Sequence, residues 1–340
     1  MSIALGQRVE TTTQTRLLPK VVDTILNTNV FLTRMLTSAK PWVGRKMKKA
    51  IKYTKGNAGS SFSGMDTFST AASETRVNME YDPAFYEINV TLPLTELAVN
   101  KTEEGVTELM SLEMASRAED MADELGDIFY SDGTGNDSKD PLGLEALVDD
   151  GTNAATIGGL SRTTYSTLNS TVTASGGTLT LAKLDTLWDA VSSGSQEPTV
   201  GVTTETIFSL YGQLLRPQER INKTVGMTKG MSAGTGFTGL DYKGKAILKD
   251  EKCTSGVLYF LNEDYIEWRA LSMPETTPVK FKATDIEGND YSEVIGLGFS
   301  WSGWIKPINQ AAIVGHIYLG GELVGWNPKR SGKLTGISGI

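Results

Sequence analysis

Residues 44–97 set out two arms of β-type alternation around a middle that no core could hold. In the first arm Met47, Lys49, Ile51 and Tyr53 alternate with Lys46, Lys48, Ala50 and Lys52. In the return arm Val77, Met79 and Tyr81 alternate with Asn78 and Glu80; then Tyr86, Ile88, Val90 and Leu92 alternate with Glu87, Asn89 and Thr91. A period of two marks a strand with one face covered. Between the arms lies KGNAGSSFSGMDTFSTAAS, rich in Gly and Ser and without a period, which predicts a soft tip. A ribbon this long buries too little surface to be stable alone. It needs a partner to lie on.

Charge narrows the choice of partner. Residues 1–60 carry eleven Lys/Arg against Glu10 and Asp23, a net of +9, while the other 280 residues carry 21 basic and 38 acidic side chains, a net of −17. Arg45, Lys46, Lys48, Lys49, Lys52 and Lys55 sit in or beside the first arm. Fifteen acids against three bases fall within residues 101–150. The basic segment could grip nucleic acid, fold onto its own acidic body, or reach the acidic body of a second copy. Nucleic-acid grip usually interleaves bases with stacking aromatics, and this cluster holds Tyr53 alone. That disfavours the first reading and leaves the neighbouring copy foremost, with all three open on charge alone.

The acidic stretch predicts a helix over 101–130. Val106, Met110, Met114, Ala118, Met121, Leu125 and Ile128 form one apolar stripe. Glu104, Glu108, Glu119, Asp120, Asp123 and Glu124 occupy the other faces. At 1.5 Å per residue such a helix is about 40–45 Å long. Upstream, Val22, Ile25, Leu26, Asn29, Leu32 and Leu36 share a helical face between Pro19 and Ser38. Downstream, helices are expected over 181–193 and 204–215. Short strands are expected near 199–202, 245–249, 257–261 and 265–269, so the middle reads as an α/β unit. The Gly/Met-rich stretch 224–239 reads as a long loop. Residues 277–319 read as strands, with 294–307 and 308–319 as buried apolar runs, and the Gly-rich tail from 320 reads as surface. The chain of 340 residues fits two or three sub-domains.

Several chemistries lack their residues. One cysteine, Cys253, and one histidine, His316, permit neither an intrachain disulfide nor a Cys/His zinc site. Cys253 sits in turn sequence and His316 in strand sequence, so a catalytic pair is not expected. The run DGTGNDSKD at 132–140 places its oxygens off the calcium-loop template and has no closing Glu. No apolar run approaches the roughly 20 residues that span a bilayer. The N-terminus, MSIALGQRVETTTQTR, is not a secretory signal. The acids look like solvated helix faces and turns, so the expectation is a non-enzyme without cofactor or metal.

Two stretches carry a resemblance. FYSDGTGNDSKDPLGL at 129–144 is similar to the turn that follows the long helix in major capsid proteins of the Hong Kong 97 type. LDYKGKAILKDEKCTSGVLYFLNEDYI at 240–266 resembles the strand–turn–strand run closing that family's middle domain. The order of parts resembles the family over nearly the whole chain. The resemblance implies an α+β capsid fold with an N-terminal arm (1–40), an extended hairpin called the E-loop (41–97), and a peripheral domain (98–153 plus 273–324) built on a spine helix (101–130). An inserted axial α/β domain (154–272) and a C-terminal tail (325–340) complete it.

It further implies a structural protein that forms pentamers and hexamers of an icosahedral phage head around double-stranded DNA, assembled in the host cytoplasm and without a membrane. With about 40 residues ahead of the hairpin, a separate scaffolding protein is expected beside a portal, with room for a decoration protein. In such shells the E-loop lies on a neighbour's peripheral domain. That arrangement would set Arg45, Lys46, Lys48, Lys49, Lys52 and Lys55 against Glu104, Glu108, Glu119, Asp120, Asp123 and Glu124. Two alternatives remain: an encapsulin-like compartment shell, and a β-rich phage tail protein.

Overall fold

The computed structural model describes residues 29–68, 70–99, 103–174, 176–219, 240–271, 277–278, 281–284, 290–294 and 298–339. The expected arm up to residue 28, the helix start at Pro19 and the 224–239 loop lie outside them.

Helix α1 (Val30–Thr37) buries Phe31, Leu32, Met35 and Leu36. Its N-cap residue, Asn29, makes no capping bond and instead donates from Nδ2 to Ala122 O at 2.8 Å. The cap comes from far away: Asp250 Oδ2 accepts from Phe31 N at 2.9 Å. An orphan first-turn N–H is thus satisfied by a carboxylate, which the helix dipole also favours. Asp250→Ala should cost about 1–2 kcal/mol in urea unfolding. An unchanged midpoint would mean that solvent satisfies the helix start equally well.

Strands β1 (Lys40–Pro41), β2 (Met47–Lys52), β3 (Arg76–Tyr81) and β4 (Ala84–Pro93) follow, then a short helix α2 (Leu94–Val99) that the sequence pattern did not announce. The long helix α3 runs Glu103–Tyr130. Met110, Met114, Met121 and Leu125 are buried as the stripe requires, joined by Ala122 and Phe129. At its end Phe129 takes the inward place, 5.2 Å from the Trp268 ring and 6.3 Å from Phe31, and Ile128 is half-buried.

Apart from short pieces, the elements that follow are β5 (Thr171–Thr173), α4 (Leu181–Val191), β6 (Val200–Thr203), α5 (Glu205–Glu219), β7 (Leu240–Tyr242), β8 (Lys245–Lys249), β9 (Leu258–Leu261), β10 (Ile266–Ala270), β11 (Thr277–Pro278), β12 (Phe299–Trp301), β13 (Ala312–Gly325) and β14 (Gly332–Leu334). With β1 and β4 their strands form two six-stranded sheets, and among the described residues there are four two-stranded sheets besides, one of them β2–β3. The first has the order β1-β10-β13-β12-β11, and β4 pairs antiparallel with β13 from Ala312↔Pro93 to Gly321↔Ala84. The second has the order β7-β8-β6-β9-β14-β5.

Strand β9, Leu-Tyr-Phe-Leu, is buried at all four positions. Its period of two divides it between two cores. Leu258 and Phe260 join Leu184, Leu187, Trp188 and Ile207 of α4 and α5. Tyr259 and Leu261 join the larger core beneath α1, α3 and the first sheet. A strand covered on both faces reads as a continuous apolar run.

The sheets divide the chain differently from the expected boundaries. Ile266–Ala270, expected in the 154–272 unit, belongs to the first sheet, and Gly332–Leu334 of the expected tail lies inside the second. The tail is not surface: Leu323, Val324, Trp326, Ser331, Lys333 and Leu334 are all buried. Its glycines mark close approach. A Cβ at Gly332 would sit 2.7 Å from Val191 Cγ1, and one at Gly320 would sit 2.2 Å from Leu271 O. The 294–307 run is not one strand either. Among its described residues before Gly303, which turns the chain with φ +76°, only Phe299–Trp301 pairs in the first sheet.

One buried polar network ties these parts together. Asp149 Oδ2 accepts from Gly151 N (2.8 Å), Asn153 N (3.0 Å) and Ala154 N (3.0 Å), and its Oδ1 faces Lys333 Nζ of β14 at 3.6 Å. Arg162 donates to Asp149 O at 2.7 Å and to Ala146 O. Asp149, Arg162 and Lys333 are all buried.

Candidate assembly surface

The hairpin is seated at its base and bare at its tip. Tyr81, buried, donates to Gly325 O at 2.7 Å and packs edge-on against Trp326 at 5.4 Å. Met79 is fully buried, and Glu80 N donates to Gly158 O at 2.9 Å. Farther out, Tyr53 meets Tyr165 at 5.0 Å, and Thr167 donates to Tyr53 O. Beyond Lys55 the described side-chain hydrogen bonds stay within the hairpin. Phe62 and Phe68 stack edge-on at 5.1 Å, yet remain 66% and 63% exposed, and Met65 is 99% exposed. Large apolar side chains held in the open and clustered mark a contact surface. Sequence reasoning passed over them because the Gly/Ser run has no period. The signal available was two phenylalanines and a methionine in a segment with nothing to bury them.

The six basic residues separate into two groups. Lys48 pairs with Glu80 at 2.6 Å directly across the β2–β3 ladder, and Lys46 with Asp82 at 2.8 Å. Lys49 lies over the Trp326 ring at 5.0 Å. These three are engaged within their own subunit. Arg45, Lys52 and Lys55 are exposed and make no ion pair among the described residues. In the β2–β3 register Lys52 stands opposite Arg76, also exposed. Like charges directly opposite each other destabilise a ladder unless something neutralises them. Arg76 was not among the expected contact residues.

The acidic partners are likewise divided. Glu119, Asp120, Asp123 and Glu124 are exposed on α3. Asp120 pairs with Arg117 at 3.0 Å, and Asp123 with Lys252 at 2.5 Å, which also reaches Asp127 at 3.2 Å. Glu124 accepts from Tyr86 Oη. The side chains of Glu104 and Glu108 lie outside the described residues. Within one subunit the basic hairpin and the acidic helix face do not pair with each other in any described contact.

Cys253 and His316 are engaged separately. Cys253 is buried in the turn before β9, where burial pushes its thiol pKa up and leaves it inert. His316 Nδ1 lies 2.8 Å from Glu87 Oε2 on the first sheet. Among the described residues no group of three or more acidic, His or Cys side chains is arranged to hold a metal, and no helix is long and apolar enough to cross a membrane.

No family model matches the chain, and no curated protein matches it in sequence. Solved structures do match in fold. The cyanophage A-1(L) capsid subunit shares 14% identity, with 91% of this chain and 93% of that one covered, at a TM-score of 0.64. The capsid of the Myoviridae phage XM1 shares 14%, covering 90% and 92%, at 0.52. The holo-SrpI encapsulin complex from Synechococcus elongatus shares 13%, covering 91% and 87%, at 0.53. Over nine-tenths of its length the chain therefore has the mixed α+β fold of Hong Kong 97-type phage capsid proteins.

Proposed function

We propose that this chain is the repeating subunit of a tailed-phage head, forming pentamers and hexamers of an icosahedral shell around double-stranded DNA. The observation that carries this reading is the hairpin: its base is seated on its own subunit, while its tip holds exposed Phe62, Met65 and Phe68 beside unpaired bases. In this reading β2–β3 and the tip are the E-loop, α3 is the spine, the first sheet is the core of the peripheral domain and the second that of the axial domain. Assembly would take place in the host cytoplasm. Portal, a separate scaffolding protein and a decoration protein are its implied partners. The role is structural and calls on no cofactor.

The electrostatic part of the contact falls to Arg45, Lys52, Lys55 and Arg76, with Glu119 and its exposed neighbours on the next copy as their counterpart. Lys46, Lys48 and Lys49 support the hairpin from within. Each exposed pair contributes only about 0–1 kcal/mol, so it sets register and partner choice more than strength. A Lys52→Glu/Lys55→Glu variant should melt like the parent, assemble several-fold less well at low salt, and lose the salt dependence of assembly. Assembly indistinguishable from the parent at every ionic strength would remove the basic patch from the contact.

Electron microscopy of the purified chain, alone and with its neighbouring gene products, tests the whole reading. Closed shells or five- and six-fold rings are expected. Monomers or trimers alone, even with the neighbours present, would overturn it in favour of a tail protein. The fold likeness to an encapsulin supports a second reading, a compartment shell. The contents decide between the two: packaged DNA in one case, a cargo enzyme in the other.

A further inference from the structure

Glu322 is a buried carboxyl on the wall of a cavity that the seated hairpin completes. It lies on β13 and is 5% exposed. One oxygen, Oε1, accepts from Leu142 N at 2.6 Å and from Leu323 N at 3.1 Å. The cavity, about 470 Å³, is lined by Glu80, Tyr81 and Asp82 of the hairpin base, by Asp132 and Asp140 of the turn after α3, and by Glu322 itself.

The charges facing it are almost all of one sign. On the hairpin, Glu80 and Asp82 hold Lys48 and Lys46. On the turn, Asp132 accepts from Thr134 and Asp140 from Asn136. Arg269 on β10 stands opposite Glu322 in register, but its guanidinium is on Glu267. Arg162, from the 149–162 segment, donates to Asp149 O and Ala146 O. Tyr81 donates to Gly325 O. No described cation pairs with Glu322. A proton is the simplest means of neutralising a carboxyl so placed.

We infer that Glu322 is a proton-controlled catch for the hairpin: neutral, it lets the hairpin base close the cavity; ionised, it repels that acidic wall and loosens the seat. The electrostatics agree in sign. Burial, reinforced by Asp82, pushes the Glu322 pKa up to about 8, against the lowering effect of the two backbone donors. An acid whose folded-state pKa is raised favours the closed form most fully below its ordinary value of 4.5, and that contribution is lost as pH rises to about 8. The hairpin's hold on its own subunit therefore weakens through neutrality.

Hydrogen exchange reads this directly. In the wild type, protection of the Glu80 amide, corrected for intrinsic rate, should fall roughly three- to tenfold per pH unit between pH 6 and 8 and level off above. Amides of β9 serve as the control and should not follow. Glu322→Gln keeps the Oε1 acceptor and removes the titration, so its Glu80 protection should be flat across the range. Asp82→Asn removes the neighbouring negative charge and should move the levelling-off point to lower pH. Protection that ignores pH in the wild type, or that falls equally in Glu322→Gln, overturns the inference. A levelling-off point unmoved in Asp82→Asn does the same should the glutamine variant not fold. All three outcomes are read on the subunit, independently of whether shells form.

Discussion

Asp149→Ala is expected to remove about 3–5 kcal/mol of folding stability, the largest effect of any single substitution proposed for this chain. Three backbone N–H groups, of Gly151, Asn153 and Ala154, donate to one carboxylate oxygen, and the buried ammonium of Lys333 faces the other. Alanine takes the acceptor from three amides and the counter-charge from the buried Lys333 ammonium, whose other contact is Glu145 O at 3.4 Å, and an uncompensated buried cation is among the costliest of defects. Asn at 149 keeps an acceptor for the amides but not the charge, so it should fall between the two. Lys333→Met should recover part of the Asn variant's loss, because it removes the stranded cation. Urea unfolding of the four proteins measures this, and an alanine variant within about 1 kcal/mol of the parent would show that the network is dispensable. The pH dependence has a definite sign. Burial opposes the ionised form of Asp149, but the three amides and Lys333 outweigh it and hold the pKa below its ordinary 3.8. Its contribution is complete above that value and is lost as pH falls below it.

Phe62→Asp/Phe68→Asp is expected to abolish shells while leaving the subunit's thermal melt unchanged. Both rings touch each other and little else of their own chain, so the folded subunit loses almost nothing. If the tip is covered by a second copy, each buried ring contributes roughly 1.5–3 kcal/mol to that contact, and a pair raises the concentration needed for assembly by a hundredfold or more. Light scattering against protein concentration gives the answer. Shells appearing at the parent's concentration would place the tip outside the contact and require another reason for its exposed aromatics.

Elements whose apolar period matched their final burial could be read from the chain directly. Met110, Met114, Met121 and Leu125 of the α3 stripe, the α4 face of Leu184, Leu187, Trp188 and Val191, and the alternation of β4 are of this kind. What escaped is governed by distant partners. The segment after 320 looked like surface because its glycines signal freedom in isolation; in the fold they let β13 and β14 approach Leu271 and Val191. Lys333 lies far in sequence from Asp149 and Arg162, and all three resembled ordinary solvated charges until the chain brought them together. The hairpin's bases were legible as a cluster, but not their allegiance. Whether Lys48 answers to Glu80 or to another copy depends on a two-strand register that composition does not contain.

The position of β14 bears on how the protein is made. Among the described residues strand β5 joins the second sheet only through β14, and β14 lies between β5 and β9. A ribosome has therefore translated more than 330 residues before Thr171–Thr173 can find its place. Until then β9 and β5 present two open edges, with Asp149 awaiting Lys333. Such long-range closure is slow and leaves the nascent chain exposed to wrong pairing. A chain cut short before Gly332 lacks the strand that joins β5 to β9.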